Sequence, residues 1–188
     1  MKKKILISLL SLLTIVLCST LAGYDDKDKY TDYEHYNLNG KDILTYTYVL
    51  EYGVNNTYAI ADITPEKSEI DIRGLFYKIS SDDYILLDKI ESSDHHKSTS
   101  DKYNVFYGNK LFAIGNGSSP LIAEYTLNYE KIVKKELKFE MPETPNGLLI
   151  RNIDHIKDDY IYLSAFAGYG SDYEITKCSL DTYKCELS

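Results

Sequence analysis

From Asp42 onward, apolar and polar positions alternate with a period of two in short runs, and almost every run is closed by Gly, Asn, Asp or Pro. The runs predict strands at Ile43–Leu50, Tyr58–Ile63, Glu69–Ile79, Tyr84–Ile90, Asn104–Tyr107, Leu111–Ile114, Leu121–Leu127, Leu148–Ile153, Tyr160–Ala165 and Tyr173–Ser179. Their Thr, Tyr, Val and Ile content suits a pleated surface better than a helix, where β-branched side chains lose rotamer freedom. Turn chemistry separates them at Gly53-Val54-Asn55-Asn56, Gly108-Asn109, Gly115-Asn116-Gly117, Pro145-Asn146-Gly147, Asp158-Asp159 and Gly168-Tyr169-Gly170. One stretch carries two patterns. Tyr129, Ile132, Val133 and Leu137 fall at helical spacing behind Asn128, a good N-cap, so residues 129–139 fit a helix as well as a strand.

Internal repetition favours strand there. YKISSDDYILLDKI (77–90), YTLNYEKIVKKELK (125–138) and CSLDTYKCELS (178–188) align without a gap. Each has an apolar residue (Ile79, Leu127, Leu180), a turn residue directly after it (Ser80, Asn128, Asp181), and a core-type residue four positions later (Tyr84, Ile132, Cys185). A turn and an apolar strand precede each copy, at 56–60, 109–114 and 159–163. Strand, turn, strand, loop, strand, turn, strand is the order of a β-propeller blade, and residues 42–188 resemble such blades. The resemblance implies an all-β fold of about twelve short antiparallel strands in three four-strand units, near 42–91, 103–140 and 148–188. Propellers close with four or more blades. Three units therefore form an open, partial propeller, or the same hairpins pack as a β-sandwich.

The N-terminus reads as processing rather than structure. Lys2, Lys3 and Lys4 lead an apolar run to Leu17 and a small-residue exit through Gly23, the layout of a signal peptide over residues 1–23. Leu21-Ala22-Gly23 resembles the bacterial lipoprotein signal, but Tyr24 stands where that signal has the cysteine that takes the lipid. Cleavage after Ala22 or Gly23 is expected, with the chain reaching the periplasm, cell envelope or exterior. Contact with a membrane is then expected only through an uncleaved signal segment. Residues 24–41 are charged, tyrosine-dotted and aperiodic, and read as a flexible polar tether before a single domain over 42–188.

Charge narrows the partners. The formal net charge is 21 − 29 = −8, and loss of residues 1–23 removes three lysines and no acid, giving 18 − 29 = −11. An acidic surface excludes nucleic acid as a natural partner and leaves a protein or a saccharide. Beyond the signal segment the cysteines are Cys178 and Cys185, and in an exported chain two cysteines this close read as a disulfide. A hairpin looping through Leu180–Tyr183 puts them opposite each other in a non-hydrogen-bonded pair.

The remaining chemistry is sparse. His95 and His96 are adjacent and point to opposite faces of an extended chain, and no Asp cluster has calcium-loop spacing, so neither a metal site nor a cofactor is expected. Asp154-His155 could orient a general base, which makes a hydrolase using His155 or loop carboxylates one alternative to a non-catalytic binding protein, a truncated remnant of a larger propeller lipoprotein being the other. Tyrosine is the unusual element, with 19 residues against no tryptophan. It offers large contact area at low entropy cost, so the expected binding residues are Tyr46, Tyr48, Tyr162, Tyr173 and, in the loop 165–170, Phe166 and Tyr169.

Overall fold

The computed structural model describes residues 29–38, 50–53, 57–65, 68, 70–92, 103–114, 121–143, 149–166 and 173–188. The chain divides into two units, Met1–Tyr33 and Glu34–Ser188. In the first, described over 29–33, the Tyr33 N–H donates to the Tyr30 carbonyl at 3.1 Å in a single tight turn. All strands lie in the second, and the described residues contain no helix longer than that turn.

Among the described residues, thirteen strands form three antiparallel sheets. Sheet 1 contains β1 (His35–Tyr36), β2 (Leu50–Tyr52), β3 (Tyr58–Asp62), β4 (Asp71–Lys78) and β5 (Tyr84–Ser92), in the order β1-β5-β4-β3-β2. Sheet 2 runs β6 (Asn104–Tyr107), β7 (Lys110–Ile114), β8 (Leu121–Asn128), β9 (Lys131–Lys138). Sheet 3 runs β10 (Leu149–Lys157), β11 (Tyr160–Phe166), β12 (Tyr173–Ser179), β13 (Cys185–Leu187). Apart from β1, each sheet is a meander of four consecutive strands, as the repeat predicts. The strand expected over Ile43–Leu50 lies outside the described residues except for Leu50, which opens β2.

Local chemistry explains the turns. Lys157 pairs with Tyr160 across Asp158 and Asp159, both left-handed at φ 49° and 62°, the twist a two-residue hairpin needs and aspartate tolerates. Tyr129 at φ 54° starts the β8–β9 hairpin, a conformation incompatible with a helix start, so residues 131–138 continue as strand. Packing agrees with it. Ile132 and Leu137 turn to opposite sides of the sheet, as strand alternation over an odd separation requires.

The alternation builds two seams, both on sheet 2. One face of sheet 2 sends Leu111, Ala113, Ala123, Tyr125 and Leu127 against Ile60, Leu75 and Ile90 of sheet 1. The intervening residues Phe112, Ile122 and Leu137 meet Ile153, Ile161, Leu163 and Cys178 of sheet 3. The far side of sheet 1 has its own cover. Leu38 and Tyr36 pack on Ala59, Ala61, Phe76 and Tyr84, with β1 held by the Glu34 carbonyl accepting from Leu86 N–H at 2.9 Å. Residues 34–38, the end of the stretch read as a tether, are thus part of sheet 1. Their Tyr-x-Leu apolar pair is too short to register as a strand by periodicity. Gly74 is required here, because a Cβ would sit 2.3 Å from the Phe76 ring that lies across it.

Arg73 and Tyr125, in the seam between sheets 1 and 2, have polar partners. Arg73, buried, donates to Asn104 Oδ1 at 2.8 Å and to the Ile114 carbonyl at 2.6 Å, tying sheet 1 to sheet 2. The Tyr125 hydroxyl donates to Asp88 Oδ2 at 2.8 Å, and Lys134 Nζ reaches the same oxygen at 2.9 Å. Burial, and then the Asp88 carboxylate, push the Tyr125 phenol well above its usual range. On the other side of β9, Lys135 donates to the Tyr183 hydroxyl of the sheet 3 hairpin. Successive lysines of one edge strand therefore reach the two neighbouring sheets in turn.

The hairpin at the chain's end is stapled. Cys178 and Cys185 are register partners, with Cα atoms 4.0 Å apart and a disulfide between them. Such a bond suits an oxidising environment. Cys185 N–H donates outward to the Glu140 carbonyl at 3.0 Å rather than to Cys178, as a non-hydrogen-bonded pair allows. Glu140 N–H donates in turn to the Tyr183 carbonyl at 2.8 Å, so the chain leaving sheet 2 clips the hairpin of sheet 3.

Candidate binding surface

The face of sheet 3 turned away from sheet 2 carries no apolar cluster among the described residues. Cross-strand register builds a complete row on it. His155 pairs with Tyr162, Tyr162 with Lys177, and Lys177 with Glu186, one residue from each strand. The first pair stacks, with ring centroids 4.1 Å apart and planes 13° from parallel. Lys177 lies 4.1 Å above the Tyr160 ring, two positions along β11, and 3.4 Å from Glu186 Oε1. A β-bulge between Ile153 and His155 turns Asp154 toward His155, whose Nδ1 is 2.7 Å from Asp154 Oδ2. Both side chains are 48% exposed, so their mutual charge is strongly screened. Beyond this row, Asn152, Ser164 and Ile175 form the next.

Of the residues expected to bind, Tyr162 stands at the middle of the row. Phe166 and Tyr173 are register partners at the far end of the β11–β12 ladder. Tyr46, Tyr48 and Tyr169 lie outside the described residues. His155, considered as a base, stacks on Tyr162. Lys177, Glu186 and Tyr160 were missed. A period of two places Tyr160 beside Tyr162, but Lys177 and Glu186 join them only through the register of two further strands, which a single sequence does not state.

A second aromatic group joins sheets 1 and 2 at their hairpin ends. Tyr52 and Phe106 stack at 4.4 Å and 2°, and the Tyr52 hydroxyl donates to the Gly108 carbonyl at 2.9 Å. The Tyr58 hydroxyl donates to the Tyr129 carbonyl at 3.1 Å, and its ring packs on Tyr77 at 5.6 Å. Burial raises the Tyr58 phenol above its ordinary value. These rings are bonded into the seam, so they contribute to sheet packing more than to an open contact surface.

The fold and this surface define an all-β chain built from repeated meanders, with an amphipathic aromatic face at its last sheet. No family model, no curated protein and no solved structure matches the chain.

Proposed function

We propose that this chain is a non-catalytic, exported protein of a bacterial cell envelope that binds a protein or saccharide partner through the tyrosine-bearing face of sheet 3. The observation that supports it best is the row His155–Tyr162–Lys177–Glu186, which sets a stacked ring pair between charged groups on a face with no apolar cover among the described residues. Aromatic bodies with polar tips suit a contact surface that is wet in one state and covered in another. The face is unlike the two dry seams. Burying His155, Lys177 and Asn152 against another apolar sheet would cost several kcal/mol. Export rests on the signal-like residues 1–23, on Tyr24 in place of a lipidated cysteine, and on the disulfide.

The test is cross-linking in intact bacteria with a photoreactive residue at Tyr162 or at Glu130, on the β8–β9 turn. Partner adducts at 162 that disappear in His155→Ala are expected, and adducts confined to 130 would refute the reading. Fractionation and the mass of the mature N-terminus report on export, and a lipid-modified product would contradict the role given to Tyr24. A second reading, a hydrolase using Asp154 and His155, draws on their 2.7 Å contact. It requires a reacting group within hydrogen-bond reach of His155 Nε2 when substrate is bound. His155→Gln separates the two, because hydrolysis fails in it while a stacking contact is only weakened.

A further inference from the structure

Sheet 3 covers only part of the sheet 2 face beneath it. Three rows cross that face in register. Ile114–Ile122–Leu137 comes first, then Val105–Phe112–Glu124–Lys135, then Tyr107–Lys110–Thr126–Val133. In the first row Ile122 and Leu137 are buried, whereas the third emerges, with Tyr107 43% and Val133 68% exposed. Tyr129, 65% exposed, and Lys131 extend it at the β8–β9 turn. Val133 and Tyr129 thus emerge into water at the β9 edge beside Lys131, while Tyr107 emerges at the opposite edge, on β6.

Charge and backbone together indicate what fits there. Lys110, Lys131 and Lys135 face this side against Glu124, a local balance of 3 − 1 = +2 on a chain of net −8. Asn128 and Lys131 close a two-residue hairpin and form a hydrogen-bonded pair, so by alternation Ile132, Lys134, Glu136 and Lys138 turn their backbone N–H and C=O groups away from β8. β9 is the edge of sheet 2. Its four lysines repel a second copy of the same edge, which guards against self-pairing. The same charges attract an acidic strand.

We propose that an extended acidic segment of a partner protein adds to β9 as a further strand and lays its apolar side chains over Val133 and Tyr129. This surface is separate from the sheet 3 row, and neither reading needs the other. Main-chain bonds along β9 supply affinity and the exposed Tyr129 and Val133 supply selectivity, the usual division in strand addition.

The probe is a dye-labelled alternating Glu-Val peptide, titrated into the whole chain by fluorescence anisotropy at low and high salt. The peptide is expected to bind, to weaken with salt, and to protect the β9 amides from hydrogen exchange. Lys131→Glu and Val133→Glu each weaken it by roughly tenfold or more, with unchanged thermal midpoints because both sites are exposed. Tyr162→Ala leaves it unaffected. The proposal is overturned if a Lys-Val peptide binds equally well, if β9 protection does not change, or if the variants retain full affinity. It is also overturned if hyaluronate or anionic vesicles occupy this edge and the Glu-Val peptide does not.

Discussion

Reducing the Cys178–Cys185 bond gives a quantitative test of how the last sheet is held. The bridge spans a sequence separation of 7, and the chain-entropy relation for a loop of that size gives about 2.5 kcal/mol. Reduction alone isolates that contribution, since the Cys178 thiol stays in the seam as a small apolar group, fully buried beside Ile161 and Leu163. Cys178→Ala/Cys185→Ala adds a cavity of sulfur size, about 1 kcal/mol more. For a domain of this length, 2.5 kcal/mol corresponds to a midpoint lowered by roughly 5–10 °C. The assay is thermal and urea unfolding with and without a phosphine reductant, followed by hydrogen exchange. β13 should lose protection first, because its remaining ties outside the ladder run through Glu140 and Ser188, whose N–H donates to the Ile175 carbonyl at 2.9 Å. Equal midpoints for oxidised and reduced protein would refute the reasoning, as would full retention of β13 protection after reduction.

Three further outcomes follow from single groups. Thr176 Oγ1 is buried in the sheet 3 seam without a hydrogen-bond partner, so Thr176→Val is expected to stabilise by about 1 kcal/mol in urea unfolding, and a loss would show that the hydroxyl is satisfied. Gly74→Ala drives a Cβ into the fully buried Phe76 ring and should cost about 1–3 kcal/mol. That loss should shrink in a Phe76→Leu background, and additive losses would sink the contact. Alkaline pH is the third lever. Burial, then the Glu51 carboxylate, push the Tyr84 phenol up to about 12 from an unfolded value of 10.0, and Tyr125 is displaced in the same direction. Both keep their protons when the unfolded chain loses them. Their contribution is complete below about pH 10 and is lost as pH rises toward 12. Urea midpoints should fall across that window while near-ultraviolet tyrosinate absorbance, unobscured because the chain has no tryptophan, lags behind that of denatured protein.

Strand existence was legible wherever an apolar run met turn chemistry, because both signals are local. Residues 104–107, 173–179 and the Asp158-Asp159 turn needed nothing from the rest of the chain. The disulfide was legible because its two cysteines share one hairpin. Residues 129–139 needed the repeat, since their apolar spacing served both periods and only the left-handed Tyr129 decides locally. β1 was hidden because two residues cannot show a period, and its reason for pairing, Phe76 and Tyr84, lies some forty residues downstream. The two surface rows were hidden for a related reason. Each draws one residue from four strands, so Lys177 joins Tyr162 and Val133 joins Tyr107 only once three registers are set.

Among the described residues, sheet 2 is the one that packs against a neighbouring sheet on both faces. In a stack of meanders, each contacting its neighbours alone, stability is shared between nearest pairs. Loss of sheet 3 removes one seam, and loss of sheet 1 removes the other. Opening sheet 2 forfeits both at once. The protein should therefore come apart from its two ends of sequence toward the middle, and it should refold outward from residues 104–138. A damaged terminal sheet would then leave a protected central remnant for a protease to find last.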